Sequence, residues 1–178
     1  MYQEIVTFWF DEIDSSKWWV KDEEFDNLLR QRFSMVHAQA DQCELYEWRQ
    51  TAKGRLAEVI VLDQFSRNMF RGSWRSFASD SLALALAQEA IALGVDQELT
   101  QIQRSFLYMP FMHSESARIH EIAVELFSSN GEKNNLNFEL KHKAIIDRFG
   151  RYPHRNDILG RESSSEELEF LSGPGSSF

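Results

Sequence analysis

Apolar residues recur along most of the chain at intervals of three and four, the spacing that collects them on one face of an α-helix. Phe25, Leu28, Leu29, Phe33 and Val36 mark one such stripe, and Leu56, Val59 and Ile60 open another. The alanine- and leucine-rich stretch 81–93 begins after Ser79-Asp80 and stops at Gly94, so both of its ends carry helix signals. Its LALALA alternation would also suit a strand, but alanine has a low strand propensity and the Gln-Glu-Ala continuation decides for helix. Further helices are expected around residues 98–108, 114–127 and 136–149, the last ending at Gly150. Ser164 and Glu167 have the spacing of a capping box, which predicts a short helix over 165–171. Strand pairs and hairpin signals are missing from the pattern. The expected class is therefore all-α, with antiparallel helical hairpins stacked as a right-handed array in one compact domain. That domain is expected to fill residues 1–172, with a loose tail over 173–178.

Composition narrows the class. A chain of 178 residues suits one domain and can bury about two thirds of its unfolded surface. A hydrophobic content of 43%, with 14 Phe and 5 Trp, excludes disorder for all but the ends. Trp9, Trp18 and Trp19 read as core, or as the cap of a pocket. The single cysteine, Cys43, cannot form an internal disulfide, which points to a reducing compartment and a cytoplasmic location. The start lacks a basic segment before its apolar residues, and no stretch approaches the roughly 18 apolar residues of a membrane helix. Neither secretion nor membrane insertion is expected. A net charge of −9 excludes an extended nucleic-acid surface, which needs a basic face. The cations are unevenly distributed, however. Between Lys141 and Arg161 stand six Lys or Arg against two acids, and Arg67 to Arg75 holds three arginines and no acid. Such clusters suit a local site for a carboxylate or phosphate, or pair with acids elsewhere in the fold.

Several polar residues fall on faces that should point inward. Extending the Leu56, Val59, Ile60 stripe by one turn reaches Asp63, and a second turn reaches Arg67, a spacing at which the two can pair or hold a third group together. Gln64, Asn68 and Arg71 line the adjacent stripe with fixed donors. Phe138, His142, Ile145 and Phe149 share another face, so His142 sits among apolar residues, as a core histidine or as an acid-base group. Arg148, Arg151, His154, Arg155 and Asn156 follow within fourteen residues of it, at a helix end and in the loop beyond. Between the two regions lies MPFMHSE, where Pro110 is expected to kink or end a helix, leaving His113 at the break, Ser114 as an N-cap and Glu115 in the next first turn. His113, Glu115, His142 and His154 form no HxxxH or HExxH unit, and no metal is expected. The sequence contains no Gly-rich phosphate loop, no GxSxG elbow and no Cys-His signature, and no cofactor is implied.

These same segments resemble a bacterial family known as domain of unknown function 924. LDQFSRNMFRG, FLYMPFMHSE, RFGRYPHRN and LGRESSSEELEFL match its successive signatures in order, as do FWF near the start and WW-x-KDEEFD. The resemblance spans nearly the whole chain and implies an all-helical fold of the tetratricopeptide-like superfamily, with no established activity. The family's shared polar set would fall on Asp63, Gln64, Arg67, Asn68, Arg71, His113, Ser114, Glu115, His142, Arg148, Gly150, Arg151, Pro153, His154, Arg155 and Asn156. Met112, His120 and Tyr152 depart from its usual residues. Three functional readings follow. A small anionic molecule would be bound by Arg67, Arg151 and Arg155, with Asp63 or Glu115 orienting His113 or His142 for acid-base work. Alternatively, the fold would hold a protein partner, a peptide or a second copy of itself on a concave face, as tetratricopeptide-like folds often do. In the third reading the polar network is purely structural.

Overall fold

The computed structural model describes residues 1–176, and every regular element among them is helical. In chain order the helices are α1 (Tyr2–Thr7), α2 (Glu23–Asp41), α3 (Ala52–Ile60), α4 (Ser66–Met69), α5 (Asp80–Ala92), α6 (Gln101–Met112), α7 (Ala117–Asn130), α8 (Lys133–Phe149) and α9 (Ser165–Leu171). Single π turns prolong α1 over Phe8–Glu12 and join α3 to α4 over Val61–Phe65. The helix starts are set by side chains that satisfy otherwise orphaned amides. Asp22 accepts from the Phe25 amide before α2, Thr51 accepts from Gly54 before α3, and Thr100 with Gln103 forms a capping box at α6. The capping box expected of Ser164 and Glu167 is present at α9.

Helices α6, α7 and α8 pack in succession as antiparallel neighbours. The start of α6 is tied to the end of α7 by Gln101 Nε2, which donates to the Asn130 carbonyl at 2.8 Å. The core is aromatic. Phe8 meets Phe33 edge-on at 4.9 Å, Phe33 lies 5.1 Å from Phe65, and the fully buried Trp9 meets Phe106 at 5.7 Å. Trp18 joins this cluster, whereas Trp19 stacks on Phe106 from the exposed side. Close packing also explains Gly54, the third residue of α3. A β-carbon there would stand 2.0 Å from the Trp48 carbonyl oxygen, so no other residue fits.

Three expectations give way. The helix end expected at Pro110 comes later, because α6 continues to Met112 with the proline inside it. An interior proline costs about 3 kcal/mol, whereas each large apolar side chain buried returns about 1.5–3 kcal/mol, and Tyr108, Met109, Phe111 and Met112 are all buried. Next, α7 starts at Ala117 rather than at Ser114, whose hydroxyl instead accepts from the Ser116 amide at 3.2 Å. Finally, the face shared by Phe138 and His142 is not uniformly buried: Phe138 is half exposed and His142 is buried. No helix among the described residues is long and apolar enough to cross a membrane. The last two residues of the expected tail lie outside the described range; just before them, Ser176 Oγ donates to the Leu171 carbonyl.

Candidate functional site

The π turn between α3 and α4 carries Asp63 and Gln64 into the interior. An inserted π turn widens the helix and disturbs its carbonyl ladder. Here three successive carbonyls each accept a side-chain donor from the residue four further on: Leu62 from Ser66 Oγ at 2.6 Å, Asp63 from Arg67 Nη1 at 2.9 Å and Gln64 from Asn68 Nδ2 at 3.1 Å. The LDQFSRN motif therefore carries its own means of holding the turn.

The turn presents the Asp63 carboxylate to two cations or proton donors. Oδ1 lies 2.7 Å from His113 Nδ1 and 3.2 Å from Arg67 Nη1, while Oδ2 accepts from Gln64 Nε2 at 2.6 Å. Burial alone would raise this carboxyl, but the Arg67 charge and the His113 contact outweigh it and hold the group well below the usual carboxylate range. His113 shifts downward, first because burial disfavours its charged form and then because Arg67 repels a second cation. The resting state is thus an ionised Asp63 accepting from the Nδ1–H of a neutral His113. A second carboxylate, Asp80 at the start of α5, receives both terminal nitrogens of Arg67, at 2.9 and 3.0 Å, and Arg155 Nη1 at 3.3 Å. Arg155 is buried, donates to the His113 carbonyl at 3.0 Å and stands over Phe77 and Tyr152.

Beside this cluster opens a cleft of about 290 Å³. His113, Arg155, Asp80, Glu115, Ser81 and Ser114 supply its polar lining, and Trp74, Phe77, Leu84, Pro110 and Leu159 its apolar wall. Nothing among the described residues hydrogen-bonds His113 Nε2, and the side chain keeps 15% of its surface exposed. Cleft, acid-base pair and buried guanidinium together make this the strongest candidate site in the molecule.

The model of a family described as bacterial protein of unknown function, DUF924, matches residues 5–175. The chain belongs to this family. A solved structure, that of a protein of unknown function from Agrobacterium tumefaciens, is 40% identical, covers 97% of each chain and superposes with a TM-score of 0.92. No curated protein matches the chain.

The remaining polar positions of this DUF924 member are distributed around the cleft rather than gathered in it. Arg71 pairs with Asp26 through two bonds of 2.6 and 2.9 Å and also donates to Asn68 Oδ1. Arg151 clamps Glu167 at 2.7 and 2.8 Å, and Arg148, half exposed, pairs with Glu166. Asn156 bonds Ser163 and Arg161. Glu115 does not reach either histidine it was expected to orient, because Arg161 occupies both its oxygens, at 2.7 and 2.9 Å, and the Tyr152 amide adds a third bond. His142 is not part of the cleft lining; its Nδ1 donates to the Phe138 carbonyl at 2.8 Å and its ring meets Tyr152 edge-on. Burial pushes His142 down to about 3 and His154, beside Tyr152, to about 4. Among the described residues no three His, Cys, Asp or Glu side chains come together in a metal-binding arrangement. Sequence reasoning missed Asp26, Asp80 and Glu139, and it counted Arg161 among the clustered cations without its partner Glu115. Asp80 read only as a helix start, and Glu139, in FELKHK, looks like part of an ordinary solvated face.

Proposed function

We propose that the cleft binds a small molecule carrying a carboxylate or phosphate and that His113 accepts a proton there. The observation that carries this reading is the Asp63–His113 pair at the cleft. With Nδ1–H committed to an ionised carboxylate, the lone pair of Nε2 is left for a hydroxyl or a water held in the cleft, and Asp63 steadies the imidazolium that forms. The anionic group would compete for Arg155, whose contact with Asp80 is long at 3.3 Å. Trp74, Phe77 and Leu159 would cover the apolar part of the ligand.

Thermal unfolding of the wild type and Arg155→Gln against phosphate, nucleoside monophosphates, benzoate and short-chain carboxylates tests this. Ligand at a hundred times its dissociation constant adds about 2.7 kcal/mol, which raises the midpoint by roughly 5–10 °C for a chain of this length. A rise confined to the wild type is expected. The second reading, a purely structural network, is favoured by the carboxylate already standing opposite Arg67, Arg71, Arg148, Arg151, Arg155 and Arg161. It predicts destabilised variants and no rise with any of these compounds.

A further inference from the structure

The segment that carries His113 is held in an unusual way. Helix α6 ends at Met112, and the carbonyls there have no helical donor ahead of them. Three consecutive ones are taken by side chains from elsewhere. Tyr152 Oη donates to Met112 O at 2.5 Å, Arg155 Nη2 to His113 O at 3.0 Å, and His120 Nε2 to Ser114 O at 2.8 Å. His113 is thus fixed by its own carbonyl and by both neighbouring ones.

Two of the donors, Tyr152 and His120, belong to one directed chain. Ser114 O can only accept, so the proton of that bond sits on His120 Nε2. Because Tyr152 has given its hydroxyl proton to Met112 O, it offers His120 Nε2 only a lone pair, at 3.2 Å. The opposite ring nitrogen, Nδ1, faces Glu139 Oε1 at 2.7 Å with one proton between them. His120 and Glu139 are both fully buried. Burial pushes the Glu139 carboxyl up against the opposing pull of His120 and Lys143. Its second oxygen, Oε2, has no hydrogen-bond partner among the described residues. A buried carboxyl with an unsatisfied oxygen is a poor way to stabilise a helix pair, since apolar residues of similar size do that at lower cost. Its contribution is orientational, because it fixes which nitrogen of His120 points at Ser114.

We infer that Glu139, His120 and Tyr152 are positioning residues for His113, gripping the carbonyls on either side of it and so fixing how its ring stands between Asp63 and the cleft. None of the three lines the cleft. The assignment rests on the proton-acceptor reading of His113 only in giving that orientation a purpose.

Long-range 1H–15N spectra of the imidazoles, recorded without any ligand, test the grip separately from ligand binding. In the wild type, His113 shows one tautomer with its proton on Nδ1. In Glu139→Gln and in Tyr152→Phe, both conservative enough to leave the helices in place, the two His113 nitrogen shifts converge as the ring loses its fixed partner. Phe127→Leu, a buried change elsewhere on α7, lowers the unfolding midpoint without moving them. His113 signals unchanged in both relay variants, or moved as much by Phe127→Leu, overturn the inference. A wild-type His113 protonated on Nε2 instead defeats the proton-acceptor reading, and the two variants still decide the grip.

Discussion

Acidification from pH 7 to pH 4.5 is expected to remove about 5 kcal/mol of stability through His142 and His154 alone. Both rings are held neutral in the folded protein, with values of about 3 and about 4 against an ordinary 6.5, chiefly because burial disfavours the charged form. A lowered folded value means that the unfolded chain binds more protons below pH 6.5. The stabilisation is therefore complete above about pH 6.5 and is lost progressively as the pH falls toward the folded values. His37 and His113 shift the same way, again first through burial, and steepen the decline. The lowered carboxylates act in the same direction at more acid pH. Asp63 and Glu115 contribute stability above the ordinary carboxylate range, and it disappears as protonation approaches their depressed values. Net stability of an ordinary domain is only about 5–15 kcal/mol, so unfolding followed by circular dichroism should have its acid midpoint above pH 4. Denaturant unfolding at the two pH values reads the loss directly, and a fall of less than about 2 kcal/mol between pH 7 and pH 4.5 would contradict the lowered values of His142 and His154.

Asp63→Ala is the substitution expected to damage the fold most. It removes the carboxylate that contacts both Arg67 and His113 directly, leaving a buried guanidinium with Asp80 and opening a void at the π turn. Removing one partner of a buried pair typically costs about 3–5 kcal/mol, or roughly 6–20 °C for a chain of this size. Denaturant unfolding of Asp63→Ala and Asp63→Asn separates the two contributions. The asparagine keeps the volume and a hydrogen-bond acceptor for His113 but not the charge, so the difference between the variants reports packing, and what asparagine loses reports the ion pair. A loss below about 1 kcal/mol in both would place the pair among weak surface ion pairs.

Helix period and end signals made the all-helical class legible, along with the capping box at Ser164 and the inward direction of Asp63 and Arg67. The π turn was not legible, because one added residue leaves almost no trace in a period read over a few turns, and it shows only through the donors at Ser66, Arg67 and Asn68. The arginine clusters looked like a surplus of positive charge since their partners are distant in sequence: Asp26 lies 45 residues before Arg71, and Glu115 lies 46 before Arg161. Local charge counts cannot see such pairs. His113 was placed at a helix boundary on the strength of Pro110, and it does stand at the turn between two helices, although α6 runs two residues past the proline. Glu139 was hidden for a different reason. A single acid among lysines and a histidine is what an exposed helical face looks like, and only the packing of α7 on α8 reveals that it is buried.

The most direct measurement of the proposed site is a titration of 15N-labelled protein with whichever anion raises the unfolding midpoint, following the His113 imidazole together with the amides of Ser81 and Ser114. Binding in the cleft predicts that all three move and saturate at one concentration, with the change at His113 Nε2 exceeding that at Nδ1. Signals that stay fixed there while Phe138 of α8 and Phe170 of α9, which line a second groove, respond would contradict it.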